Sequence, residues 1–158
     1  MNKLIALAIV GIVAFFILGK NPDMPRETLE VHNQDEFSNV SGNLGGRCAT
    51  KKCLTVYVAP WCPACKKLKP TIISMKNQLE IEGLEVKVVV GNDSPDAIKK
   101  YASDYPFATL LDTDGKFFKK SEQRGVPFFL VSDKKGKVSN SLTGGSTNMQ
   151  AMREKLDL

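Results

Sequence analysis

The sequence predicts an α/β sandwich on a mixed central sheet, preceded by one N-terminal transmembrane helix. Three observations carry this expectation. From residue 54 onward, short β-branched or aromatic runs alternate with segments of helical period, the pattern of strand–helix–strand units. The last third holds an apolar run, an Asp133-Lys134-Lys135-Gly136 turn and a second short run, which adds antiparallel strands to the parallel ones. An uninterrupted apolar segment, residues 4–18, follows Lys3 at the amino end.

That apolar segment is long enough to span a bilayer if the flanking Lys3 and Lys20 snorkel. It ends in Phe15-Phe16-Ile17-Leu18-Gly19 rather than in the small residues a signal peptidase needs, so an uncleaved signal-anchor is expected. Lys3 on the inner side places the rest of the chain outside, giving a single-pass protein of the bacterial inner membrane with its domain in the periplasm or extracytoplasmic space. The expected organisation is therefore a signal-anchor at 1–19, a polar linker at 20–47 and one folded domain at 48–158. Residues 27–37 within the linker have too weak a period to choose between helix and strand. His32, the only histidine of the chain, reads as a surface residue, because no second histidine completes a site.

Within the domain each element has a local reason. Leu54-Thr55-Val56-Tyr57-Val58 is a buried-strand run closed by Ala59-Pro60. A long helix follows from 63 to about 82, with Leu68, Ile72, Met75 and Leu79 on one face and Pro63 in its first turn, where the missing N–H costs nothing. Pro70 inside it should kink it. Gly83 stops the helix, residues 84–90 form a second strand, and Asn92-Asp93-Ser94-Pro95 opens a short helix over 96–103. Strands at 108–112 and 126–131, a strand beginning at 137–139 and a last helix over 148–156 complete the domain.

The net charge of +5 lies largely in lysine pairs such as Lys66-Lys67 and Lys134-Lys135. No aromatic–basic interleaving accompanies them, so no nucleic-acid partner is expected. No phosphate loop, nucleotide fingerprint or catalytic triad appears, and no cofactor or catalytic metal is predicted. The informative residues are four cysteines, at 48, 53, 62 and 65.

Cys62-Pro63-Ala64-Cys65 sits where a strand feeds a helix. A cysteine at a helix N-terminus meets unpaired N–H groups and the positive end of the helix dipole, which stabilise a thiolate. Cys62 is accordingly the expected nucleophile, reachable by solvent, and Cys65, one turn on and more buried, the resolving thiol.

The segment Tyr57-Val58-Ala59-Pro60-Trp61-Cys62-Pro63-Ala64-Cys65-Lys66 resembles the active-site segment of the thioredoxin superfamily. Pro70 matches that family's helix proline, and Gly125-Val126-Pro127 before an apolar strand resembles its cis-proline loop. The run of residues 110–116, followed by 125–131 and Gly136-Lys137-Val138, is similar to the membrane-anchored TlpA/ResA-like branch, which carries a strand–helix insertion. The resemblance covers roughly residues 53–158. It implies a thioredoxin-like three-layer sandwich and a thiol-disulfide oxidoreductase acting on protein thiols or disulfides together with a redox partner. Trp61, Pro63, Ala64, Val126 and Pro127 would support the dithiol and bind substrate. Pro127 would be cis, and the Val126 backbone would pair with an extended substrate segment. Two departures stand out. Val56 occupies the position where many thioredoxins carry a buried aspartate, and Leu68 the position where TlpA/ResA-like proteins often carry a glutamate. Without those proton acceptors the direction of electron flow stays open.

The second pair, Cys48 and Cys53, is expected to form a disulfide closing a small loop, given export to an oxidising compartment. Exchange with Cys62 or with a partner, and a four-thiolate metal site, are the other readings. For the whole protein the rivals to an exchange enzyme are a thiolate metal-handling module and a redox-inactive scaffold.

Overall fold

The computed structural model describes residues 22–32 and 48–158. Among these, ten elements follow one another: β1 (Glu30–His32), β2 (Lys52–Val58), α1 (Pro63–Ile81), β3 (Glu85–Gly91), α2 (Pro95–Ala102), β4 (Thr109–Asp112), α3 (Lys116–Lys120), β5 (Phe128–Asp133), β6 (Val138–Thr143) and α4 (Met149–Leu156). The strands form one sheet in the order β1-β4-β3-β2-β5-β6. β2, β3 and β4 are parallel, while β1, β5 and β6 run antiparallel to their neighbours, so the sheet is mixed as expected.

The central strands are buried on both faces, and their side chains sort by the two-residue period of a pleated strand. Val56, Val58, Val88, Val90, Phe129 and Val131 join one core with Leu68, Ile72, Met75 and Leu79 of α1, Ile98 of α2, and Met152 and Leu156 of α4. Tyr57, Val89, Leu110, Phe128 and Leu130 join a second core with Phe117 of α3, Met24 and Leu29. Helices α1, α2 and α4 thus back one face. The third layer is thinner than three full layers imply, consisting of α3 and the segment around Met24 and Leu29.

That segment corrects the linker expectation for 20–47. Met24 and Leu29 are buried, Asp23 bridges Lys137, and β1 extends the sheet by pairing Glu30 with Leu111 and His32 with Thr109. Three apolar residues at irregular spacing, Met24, Leu29 and Val31, carry no period of their own; the sheet edge they dock on supplies it. His32 sits on this added strand, its Nε2 2.9 Å from Ser103 Oγ. Residues 33–47 of the expected linker and the anchor at 1–19 lie outside the described residues. Among the described residues no helix is long and apolar enough to cross a membrane.

Helix α3 was not anticipated. It is only five residues long and opens on Gly115 in the left-handed region, φ 68°, too short for a period to register. A buried carboxylate holds it in place. Asp112, 1% exposed, accepts hydrogen bonds from the Phe117 and Phe118 N–H groups, both at 3.0 Å, and from the Tyr57 hydroxyl at 2.8 Å. Burial and the neighbouring Asp112 charge push the Tyr57 hydroxyl well above its ordinary range. Gly91 makes room for this pair, since a Cβ there would stand 2.1 Å from Tyr57 Oη.

Candidate active site

β2 delivers the chain through Ala59 and Pro60 to the first turn of α1, where Cys62 is the N-cap residue and Pro63 takes the first helical position. Cys62 Sγ accepts the Cys65 N–H at 3.1 Å, so the sulfur satisfies one of the orphan donors of the helix start. The same sulfur stands 3.5 Å from the Val126 carbonyl oxygen, toward which its S–H donates. Val126 is half-buried, Pro127 is buried, and the Val126–Pro127 bond is cis, as the resemblance implies. The Pro127 carbonyl accepts the Gly144 N–H at 2.8 Å, tying the loop to the end of β6.

Both cysteines are free thiols and both are buried. Cys62 is only 3% exposed, which corrects the expectation of a solvent-reachable nucleophile: its sulfur is tucked between the helix start and the Val126 carbonyl. The exposed surface belongs instead to its neighbours, Trp61 at 55% and the helix residues Pro63 and Ala64. Trp61 is held in place, donating its indole N–H to the Asn92 carbonyl at 2.7 Å.

Cys65 is fully buried, and burial, followed by its hydrogen bond with Cys62, pushes its thiol up to about 12. Val56 and Leu68 pack in the same core as the two cysteines, as do Tyr101 and Tyr105. Burial likewise pushes the Tyr101 hydroxyl up to about 12. Among the described residues no carboxylate bonds either sulfur of the dithiol. The two departures noted in the sequence thus leave an apolar wall where a base would stand.

Cys48 and Cys53 form a disulfide with a Cα–Cα separation of 5.7 Å. Cys53 lies at the start of β2 and Cys62 beyond its far end. The steps from Cys53 to Val58 alone span about 17 Å of strand. Direct exchange between the pairs and a shared four-thiolate site are therefore ruled out by distance. Beside the disulfide, sequence reasoning missed Glu85, whose Oε2 accepts the Ala49 N–H at 2.6 Å and stands 3.2 Å from Cys53 Sγ.

A thioredoxin-like domain family model matches residues 48–157. The chain is 26% identical over 121 residues to Probable nucleoredoxin 1 of Arabidopsis thaliana, covering 73% of this chain and 20% of that protein. It is 25% identical over 92 residues to the thiol-disulfide oxidoreductase ResA of Bacillus thuringiensis subsp. konkukian, covering 57% of this chain and 53% of that protein. The chain thus spans between a fifth and about half the length of these relatives. Its fold matches a crystal structure assigned as the thiol:disulfide interchange protein DsbE of Chlorobium tepidum, with a TM-score of 0.66 at 18% identity over 86% of this chain and 94% of that one.

Proposed function

The chain belongs to the thioredoxin-like family, and from that premise we propose that it is a thiol-disulfide oxidoreductase exchanging Cys62 and Cys65 with cysteines of protein substrates. The observation that carries this is Cys62 Sγ serving as the N-cap of α1 while facing the Val126 carbonyl of the cis-proline loop. In the reductive direction the Cys62 thiolate attacks a substrate disulfide. A Cys62–substrate bond forms, the substrate S–S bond breaks, and one substrate thiolate departs. Cys65, after losing its proton, attacks Cys62 Sγ and closes the Cys62–Cys65 disulfide, expelling the second substrate thiolate. Two electrons pass to the substrate, whose thiolates take up two protons. A substrate strand laid along residues 125–127 would pair with the Val126 backbone and rest on the exposed face of Trp61.

The surroundings of Cys65 support a reading of the direction as well. A strongly oxidising dithiol is one whose reduced form is stabilised as a thiolate. Among the described residues Cys65 is buried with no cation or carboxylate bonded to its sulfur, which supports the disulfide form and a donor role for the dithiol. The couple should lie nearer the about −270 mV of reductants of this fold than the about −120 mV of its strong oxidants. The apolar segment at residues 4–18 supports an inner-membrane anchor with the domain in the extracytoplasmic space.

Replacing Cys65→Ala should trap substrate on Cys62 as a mixed disulfide that reductant releases, and Cys62→Ala should abolish the trap. Equal trapping by both variants would sink the assignment.

A further inference from the structure

At the opposite end of β2 lies a second group of sulfur and carboxylate ligands. Cys53 and Glu85 are register partners across the parallel β2–β3 ladder, so two rigid strands hold their side chains on the same face of the sheet. Cys48 reaches them on a four-residue loop. The two sulfurs and a Glu85 carboxylate oxygen all lie within 4.8 Å of one another. Zinc takes thiolate sulfur at about 2.3 Å and carboxylate oxygen at about 2.0–2.2 Å, so tetrahedral neighbours of these kinds stand about 3.6 Å apart. Cys53 Sγ and Glu85 Oε2, at 3.2 Å, are already close to that spacing.

Two thiolates offset one divalent cation, and the charges around the group are largely paired already. Glu85 Oε1 is 3.3 Å from the buried Lys87 ammonium, and Lys76 pairs with Glu80 nearby. Within the loop, Lys52 faces Asp157 and Lys51 is exposed. A cavity of about 290 Å³ beside the group, lined in part by Ala49, Thr50, Glu85 and Lys87, leaves room for a water as fourth ligand.

We propose that the Cys48–Cys53 pair is a redox-gated metal site: once reduced, Cys48, Cys53 and Glu85 bind a zinc-class divalent cation that the disulfide form cannot hold. A dithiol reductant opens the site. The Cys48–Cys53 bond breaks, the donor's own disulfide forms, and two electrons and two protons arrive as two thiols. Cation binding then displaces both protons and leaves two thiolate–metal bonds. This site is independent of the dithiol at Cys62 and Cys65.

The test uses the full-length chain carrying Cys62→Ser and Cys65→Ser, reduced with a phosphine and then freed of it without oxygen. Zinc, competed against a chromophoric chelator, should bind one per chain and protect both remaining thiols from alkylation. Cobalt in its place should give a near-ultraviolet sulfur-to-metal band. Because removing even an outer partner of a zinc ligand costs about 10–100-fold in affinity, Glu85→Gln should weaken zinc by at least about tenfold. Circular dichroism of each reduced variant reports its fold, and the oxidised chain should bind none. Equal binding by the oxidised chain, no binding by the reduced chain, or unchanged affinity in a folded Glu85→Gln chain would each overturn the proposal.

Discussion

Raising the pH should keep accelerating the second half of the exchange well past the point at which an ordinary thiol levels off. The Cys65 thiol is pushed from its ordinary value of 9.0 up to about 12, first by burial and then by its hydrogen bond with Cys62. At pH 7 that lowers its thiolate fraction about a thousandfold. The more basic thiolate is intrinsically more nucleophilic, which at a Brønsted slope of about 0.45 over that shift returns roughly twentyfold. The net handicap is at most about fiftyfold. In the mixed-disulfide intermediate the Cys62 hydrogen bond is lost, but the burial of Cys65 remains, so the direction of the effect persists. A colorimetric aryl disulfide measures the step directly: Cys62 releases the first aryl thiolate on attack, and Cys65 releases the second on resolution. The logarithm of the second rate should climb with unit slope between about pH 7 and pH 10, without a plateau. A plateau beginning near pH 8 or 9 would show an accessible, ordinary thiol or an unseen base, and the reasoning from burial would fail.

The same shift bears on stability. A group raised in the folded state contributes fully below its ordinary value and loses that contribution as pH climbs through the raised one. The dithiol chain should therefore lose stability between its ordinary 9.0 and about 12 relative to the Cys62–Cys65 disulfide chain, as read by denaturant titration of both. Leu68→Glu puts a carboxylate one turn beyond Cys65; it should speed aryl-thiolate release at neutral pH while lowering stability, and a slower release would count against the need for a base. Gly91→Ala places a Cβ 2.1 Å from Tyr57 Oη and 2.8 Å from Asp112 Cβ, and should cost about 2–5 kcal/mol by urea unfolding. Replacing both Cys48 and Cys53 by alanine should cost about 2 kcal/mol, the loop-closure value for so short a ring, and leave aryl-disulfide kinetics at Cys62 unchanged.

The dithiol was legible in the sequence because its determinants are local. A strand, Trp61, two cysteines three residues apart and a proline in the first helical turn sit within one contiguous stretch, and the cis-proline loop has its own short signature. The residues that escaped notice act across the sheet. Glu85 meets Cys53 only because β2 and β3 pair in one particular register, and Asp112 meets Tyr57 from a strand fifty-five residues away. Neither partnership leaves a trace in spacing. β1 is likewise defined by the edge of β4 it completes rather than by its own three residues. The burial of Cys62 was missed for the same reason, since the Val126 carbonyl that covers it lies sixty-four positions downstream.

The placement of Cys53 and Cys62 beyond opposite ends of β2 means that the strand works as a spacer between two separate electron stores. A titration of total sulfur would superimpose two waves with nothing in common but the polypeptide, so each must be followed with the other pair silenced. A redox protein docking at the tryptophan-marked pole could discharge one store and leave the far pole fully charged.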